Sequence, residues 1–267
     1  MSERNEHPPG VPCWVDTWQP DATAAASFYA GLFGWDTQRT TGEGSDVDYV
    51  MCRLRGRDVA GIGSGREAPP GWTTYVRVES ADDAAARAVD HGGSLVVPPF
   101  PSVDGGRIAV LADPVGAAFA VRELGTHRGA NLVNEPGAWA MSVLLTDEPA
   151  TATPFYEAVC GWRGEPFQLG DAEATLLRLD GYVGGEPTQP VPRDVVAAMA
   201  PAFGRPSGWV VNFWVDDADS TAARAPELGG TVVAGPFDTS ISRDAVIADP
   251  AGAVFSVSTA PAAPPPR

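Results

Sequence analysis

A carboxylate flanked by tryptophans lies near the start of the chain. Trp14, Asp16 and Trp18 stand two residues apart, and this spacing puts them on one face of a β-strand. Apolar rings around a carboxyl group raise its pKa and suit it for general acid or base catalysis. Asp16 is therefore the first candidate catalytic residue.

A second alternating segment carries groups that complement Asp16. Thr73, Tyr75 and Arg77 share one face of a later predicted strand. The Tyr75 hydroxyl could donate to a ligand carbonyl, which makes Tyr75 the second candidate catalytic residue, or it could be satisfied at the edge of a core. Arg77 or Arg122 could instead hold Asp16 ionised in a buried ion pair, and that role would be structural.

The second half of the chain offers hydrogen-bonding and stacking groups and no evident acid or base. Ser142, Asn212 and Trp214 are its candidate ligand-binding residues. Trp72 and Trp209 each stand just ahead of a long predicted strand. Such paired aromatic residues could frame the mouth of a ligand site or close a core.

The elements that must position these residues are duplicated. Three motifs occur twice in the same order, with an offset of 127 residues for the first and 136 or 137 for the others. One insertion explains the difference, and the irregular stretch from Gly184 to Gly208 is its predicted place. The pairs are FYAGLFGW and FYEAVCGW, HGGSLVVPPF and LGGTVVAGPF, and DPVGAAFAV and DPAGAVFSV.

Each half divides again into two units of order β-α-β-β-β. The first helix is predicted from Asp21, a good N-cap, to Gly34, a typical C-terminal glycine. We predict an α+β fold of four βαβββ modules, paired into two domains with cupped mixed sheets. The predicted ranges are domain 1 at 11–124, a linker at 125–137, domain 2 at 138–259 and a disordered Pro-rich tail at 260–267.

Composition excludes several functions. The 267 residues include 34 acidic and 18 basic ones, a formal net charge of -16. Such a charge repels phosphate backbones, so we expect no nucleic acid and no anionic membrane as partner, while a cationic ligand would be favoured. Three scattered cysteines and the absence of a signal peptide or a membrane-spanning run predict a cytoplasmic protein.

The repeated FYxxLFGW helix end and DPxG hairpin resemble the glyoxalase and bleomycin-resistance branch of the vicinal oxygen chelate superfamily. The resemblance extends from Val11 to Thr259. The chain also resembles the two-domain, actinobacterial glyoxalase-like and hydroxylase-type proteins, which share the WVDxxxxD opening found from Trp14 to Asp21. It implies the fold but not the chemistry, because this fold hosts isomerases, dioxygenases, lyases and metal-free drug-binding proteins.

The resemblance also implies where metal ligands would lie. Metal-dependent members carry His or Glu in the first strand of a domain, at the start of the next module, and seven residues after the Asp of DPxG. Zinc or iron requires imidazole, thiolate or carboxylate ligands there. We therefore expect no metal cofactor, because these positions hold Trp14, Thr73 and Ala120 in the first half and Ala140, Val210 and Ser256 in the second.

If the vacated positions face the cups, strand alternation predicts the other inward residues. Asp16 and Tyr75 are the predicted catalytic pair, and the first cup is expected to be the functional one. The alternative is that side chains simply fill the cup. The predicted ligand-binding residues are Trp14, Trp18, Trp72, Thr73, Arg77, Arg122, Ser142, Asn212 and Trp214.

Aromatic faces with few polar groups favour a planar aromatic ligand. The leading hypothesis is a metal-independent protein that binds an aromatic natural product, cationic or uncharged, for self-resistance or as accessory to a tailoring enzyme. The alternatives are a metal-free lyase, cyclase or hydroxylase-type enzyme that uses Asp16, and a degenerate lactoylglutathione-lyase-like enzyme. A monomer or a homodimer is expected.

Overall fold

The computed structural model describes residues 3–41, 47–65, 69–169, 172–184 and 191–259. The tail predicted at 260–267 lies outside the described residues, as does part of the insertion predicted between Gly184 and Gly208. Within the described ranges the chain forms sixteen strands and four helices. None of these helices is long and apolar enough to cross a membrane.

Domain 1 consists of two βαβββ modules. The elements of its first module are β1 (Pro12–Trp18), α1 (Ala22–Phe33), β2 (Asp36–Arg39), β3 (Asp48–Leu54) and β4 (Arg57–Ser64). Those of its second module are β5 (Gly71–Val78), α2 (Ala81–Asp90), β6 (Ser94–Pro101), β7 (Arg107–Ala112) and β8 (Ala118–Glu123).

Domain 2 repeats the same order. The third module contains β9 (Trp139–Leu145), α3 (Pro149–Cys160), β10 (Trp162–Leu169), β11 (Ala172–Leu179) and β12 (Val195–Ala200). The fourth contains β13 (Gly208–Trp214), α4 (Ala218–Glu227), β14 (Thr231–Asp238), β15 (Arg243–Ala248) and β16 (Val254–Thr259).

Each domain builds one eight-stranded mixed sheet. The strand orders are β2-β3-β4-β1-β5-β8-β7-β6 and β10-β11-β12-β9-β13-β16-β15-β14. The first strands of the two modules pair antiparallel at the centre of each sheet, and each pairs in parallel with the last strand of its own module. The predicted α+β fold of four paired βαβββ modules is confirmed, and both sheets are open rather than closed barrels.

Local signals define the helix ends. The Asp21 carboxylate accepts the backbone N–H groups of Thr23 and Ala24 at 2.9 and 3.0 Å, and Gly34 ends α1 with φ 73°. Both features agree with the predicted helix bounds, because these side-chain and backbone conformations satisfy groups that a helix leaves unpaired. In domain 2 the corresponding N-cap is Glu148, which makes no side-chain capping bond.

The helices of the two domains share their cores. One core joins the helix-covered faces of the first and fourth modules, and the other joins those of the second and third. At the centre, the Oγ1 atom of Thr74 lies 2.6 Å from the Oγ atom of Ser142. The helix-covered faces of the two sheets therefore belong to one interdomain interface, and their concave faces point away from it.

The repeated motifs connect the domains reciprocally. The Tyr29 hydroxyl of the first FYxxLFGW motif donates to Asp249 of the second DPxG hairpin at 2.9 Å. Tyr156 of the second motif donates to Asp113 of the first hairpin at the same distance. Each tyrosine hydroxyl in turn accepts an indole N–H, from Trp72 at 3.0 Å and from Trp209 at 2.9 Å, respectively. The motifs that reveal the duplication thus form the interface between its halves.

Candidate functional site

The concave face of domain 1 holds a hydrogen-bonded cluster around Asp16. The Tyr75 hydroxyl donates to the Asp16 carboxylate at 2.9 Å, and the Tyr49 hydroxyl donates at 3.2 Å. The Trp14 indole N–H donates to the Tyr49 oxygen at 3.0 Å. Asp16 itself is only 3% exposed. The structure therefore brings the predicted pair Asp16 and Tyr75 together, in an enclosed place.

Large side chains fill this cup because two glycines of β4 make room for them. The Tyr49 ring lies over Gly61, where an added Cβ atom would meet the tyrosine oxygen at 2.0 Å. The Trp18 ring lies over Gly63, where the same addition would meet ring atoms at 2.8 Å. Both glycines are needed for this packing. The structure therefore agrees with the alternative in which side chains fill the first cup.

The remaining polar groups of the first cup also contact protein groups. Arg122 is buried, and its guanidinium forms an ion pair with Asp104 at 2.7 Å. The ring of His127, from the linker between the domains, lies edge-on to Trp14 at a centroid distance of 4.6 Å. Arg77 lies opposite Arg122 in the register of the parallel strands β5 and β8, and its buried Nε atom has no hydrogen-bond partner. The catalytic roles of Asp16 and Tyr75 stay predictions, while the space beside them is occupied.

Two predicted ligand-binding residues lie on the opposite, helix-covered side of the sheets. Trp72 is in the interdomain core, hydrogen-bonded to Tyr29. Ser142 is fully buried and contacts Thr74 of the other domain. Neither side chain lines a cup, contrary to the prediction. For Ser142 the reason is a shift of one residue in the alignment of β9 with β1.

In the alignment of the two halves, the residue equivalent to the N-cap Asp21 is Glu148 and not Asp147. Asp147 instead accepts the backbone N–H groups of a turn at 202–204, at 2.6 to 3.1 Å. The position seven residues before the cap is therefore Met141 rather than Ala140. Alternation then turns Ser142 toward the helices and Met141 and Val143 toward the cup.

Domain 2 has an open cavity of about 170 Å³ on its concave face. Of the predicted residues, Asn212 and Trp214 line it. Its apolar wall comes mainly from the third module, whereas the polar groups come from the fourth. The apolar lining is Ala140, Met141, Val143, Phe167, Ala174, Leu176, Val191, Ala198, Met199, Ala200, Trp214 and Ile241, and the polar lining is Asn212, Thr239, Ser242, Asp244 and Ser258.

Smaller side chains explain why the second cup is open. By strand register, Ala174 takes the place that Tyr49 has in domain 1, and Ala198 takes that of Gly61. An alanine at 174 leaves free the volume that the tyrosine ring fills in the first cup. The sequence interpretation favoured the first cup as the functional one, and the geometry favours the second.

The polar wall of this cavity is organised by Asn212. Its amide nitrogen donates to the Ser256 hydroxyl at 2.9 Å, and its oxygen accepts from the Ser258 hydroxyl at 2.8 Å. The adjacent loop is held by the Thr239 hydroxyl, whose oxygen lies 3.0 Å from that of Ser242. These bonds fix the side chains in place, so the wall presents defined polar edges to a ligand.

Asp244 is the acidic group of the cavity. Burial raises the pKa of its carboxyl to about 6, although a hydrogen bond with Ser242 favours the ionised form. A carboxyl group with such a pKa exchanges its proton near neutral pH and suits acid–base or ionic roles. Its neighbour Arg243 points away and pairs with Asp238 at 2.9 Å and with Asp219.

Asp244→Asn should stabilise the protein at alkaline pH. The pKa in the folded state, about 6, lies above the usual value of 3.8, so the folded protein holds this proton more tightly than the unfolded chain. Stability from this group is therefore present below pH 4 and is lost as the pH rises through 6. At pH 8 we expect the variant to gain about 2 kcal/mol in the free energy of unfolding.

Urea denaturation at pH 4 and pH 8 measures this effect. The gain should be small at pH 4, where the carboxyl is protonated in the folded protein and about half protonated in the unfolded chain. Asp36→Asn, at an exposed position of β2, is the matched control and should change stability little at either pH. A variant that is less stable than the wild type at pH 8 would contradict the assignment of a raised pKa.

Several cavity residues were missed from sequence. Asp244, Met141 and Phe167 line the cavity but were absent from the predicted set. In the register of β15 and β16, Asp244 lies opposite Ser258. Ser258 is two residues from Ser256, a position that the sequence analysis placed at the cup, so alternation along β16 could have pointed to Asp244. Phe167 lies opposite Ala174 in the register of β10 and β11, so its place in the lining follows from strand pairing.

A divalent metal does not fit the positions that the resemblance indicated. With the corrected register they hold Trp14, Thr73 and Ala120 in domain 1, and Met141, Val210 and Ser256 in domain 2. These side chains offer no imidazole, thiolate or carboxylate. Within the described residues, no three His, Cys, Asp or Glu side chains are grouped as metal ligands would be.

Two cupped sheets, each made of paired βαβββ modules, define the vicinal oxygen chelate class of proteins. The family model described as a glyoxalase-like domain matches the chain twice, at residues 14–122 and 129–258. The chain therefore belongs to the glyoxalase-like domain family, as a tandem two-domain member of the vicinal oxygen chelate superfamily. This confirms the family that the repeated motifs indicated.

Known proteins resemble the chain along most of its length. "Putative glyoxylase CFP32" of Mycobacterium tuberculosis is 40% identical, covering 96% of this chain and 97% of that protein. "Anthracycline biosynthesis protein DnrV" of Streptomyces peucetius is 36% identical, covering 93% of each. The crystal structure of the Mn(II)-bound glyoxalase from Novosphingobium aromaticivorans superimposes with a TM-score of 0.61 at 17% identity, covering 94% of this chain and 82% of that one. That structural likeness concerns the fold alone.

Proposed function

We propose that the protein binds a planar aromatic small molecule in the cavity of domain 2, without a metal ion. The observation that carries this proposal is the division of the cavity into an apolar wall with Phe167 and Trp214 and a polar wall with Asn212 and Asp244. A flat ring system with polar substituents along one edge matches such a division. Small-molecule sites typically combine apolar surfaces with a few placed polar groups.

The size of the cavity limits how much of the ligand it encloses. An engineered protein cavity of roughly 150 Å³ holds one benzene ring, and this cavity measures about 170 Å³. The cavity itself can therefore enclose about one ring of the ligand. A larger ligand would extend past the loop with Thr239 and Ile241, which also contributes to the lining.

The class of ligand is suggested by a relative. DnrV is named an anthracycline biosynthesis protein, and anthracyclines are planar aromatic natural products. We propose a ligand of comparable chemistry, bound for self-resistance or delivered to a tailoring enzyme. Asn212 and its serine neighbours would accept and donate hydrogen bonds at the substituted edge of the rings.

Calorimetric titration with a panel of aromatic polyketides tests the proposal. Trp214→Ala should weaken binding about 30-fold, because it removes both ring contact and buried apolar area. Trp18→Ala, on the concave face of domain 1, is the matched control and should leave affinity unchanged. Saturable binding to none of the panel, or a loss of affinity only in the Trp18 variant, would refute a site in domain 2.

A further inference from the structure

Among the described residues of the cavity wall, the carboxylate of Asp244 has no positive partner. None of the described residues that line the cavity is Lys, Arg or His. Arg243, its neighbour in sequence, is committed to Asp219 and Asp238 outside. An ionised carboxylate beside an apolar wall is unfavourable unless a cation or several donors accompany it.

The equivalent positions of domain 1, where side chains fill the cup, carry different residues. The residue that corresponds to Asp244 is Ile108, and the one that corresponds to Ser258 is Arg122. There the charged group is the arginine, which is neutralised by Asp104 at 2.7 Å. In domain 2 the polar residues that line the cavity near Asp244 include Ser242 and Ser258, and no described lining residue is basic. In this part of the chain the second cup therefore lacks the charge balance of the first.

Resting on the proposed function, we propose that the ligand carries a basic nitrogen, and that its ammonium group binds the Asp244 carboxylate while its rings lie against the apolar wall. The ligand then supplies the positive charge that the lining lacks. The formal net charge of -16 also attracts cations from solution and favours their approach. Ser242 and Ser258 can accept the remaining ammonium hydrogens.

Matched pairs of small ligands test this inference. The first pair is 1-(aminomethyl)naphthalene and 1-naphthalenemethanol, and the second is 9-(aminomethyl)anthracene and 9-anthracenemethanol. Within each pair the ring system is identical, and only the amine is charged at pH 7.5. Calorimetry on the whole protein should show the amine bound at least 10-fold more tightly than the alcohol.

Variants separate a specific contact from general attraction by the acidic protein. Asp244→Asn should abolish the preference for the amine, so that the amine and the alcohol of each pair bind with equal affinity. Asp244→Glu, which keeps the charge, should retain part of the preference, and Asp36→Asn should retain all of it. Circular dichroism checks that each variant is folded.

The outcomes distinguish this inference from the proposed function. Equal binding of amine and alcohol, or a preference that survives in Asp244→Asn, would overturn the assignment of an ammonium site while leaving an aromatic site in domain 2. Absence of binding by all four compounds would overturn both.

Discussion

Asp249→Ala is expected to lower the free energy of unfolding by about 4 kcal/mol. The carboxylate is buried and accepts hydrogen bonds from Tyr29 at 2.9 Å and from the Gln19 amide at 2.7 Å, both in the other domain. It also accepts the backbone N–H groups of Ala251 and Ala253 in its own hairpin. Truncation leaves these donors buried and unpaired, which costs several kcal/mol.

Urea denaturation followed by tryptophan fluorescence measures the loss. Because each core contains helices of both domains, both domains should unfold in a single transition. Asp113→Ala, the repeat equivalent, should have a similar effect. Asp147→Ala is the control, because that exposed carboxylate accepts only turn N–H groups, and its loss should be smaller. Equal effects of Asp147→Ala and Asp249→Ala would contradict the interdomain role.

Rebuilding the packing of the first cup in the second should abolish ligand binding. The double variant Ala174→Tyr with Ala198→Gly places a tyrosine where domain 1 has Tyr49 and removes the Cβ atom that would obstruct it, as at Gly61. A phenol ring occupies most of a cavity of about 170 Å³, since a cavity of roughly 150 Å³ holds one benzene. Affinity for the aromatic amines and alcohols should fall at least 100-fold by calorimetry.

Ala198→Gly alone is the matched control and should keep its affinity, since it only enlarges the space. Its stability should fall by about 1 kcal/mol, as for other glycines placed inside strands. A folded double variant that still binds with wild-type affinity would place the ligand elsewhere and refute the cavity of domain 2 as the site.

Much of the fold follows from the sequence alone. The repeated motifs fix the order of elements, because each marks a local structure: Gly34 ends a helix in the left-handed conformation, and Asp113 accepts the N–H groups of Val115 and Ala117 in its hairpin. Such short-range features depend on neighbouring residues only. The α+β class, the four modules and the family were therefore predictable, and so was the adjacency of Asp16 and Tyr75 on one face.

The tertiary structure decided which cup is open. Whether a cup is filled depends on side chains from strands that are distant in sequence, such as Tyr49 over Gly61 in domain 1 and Ala174 beside Ala198 in domain 2. It also decided that Trp72 belongs to the interface. The carboxylate at Asp16, which the sequence singled out, is enclosed by two tyrosines, whereas Asp244 lines the open cavity of domain 2.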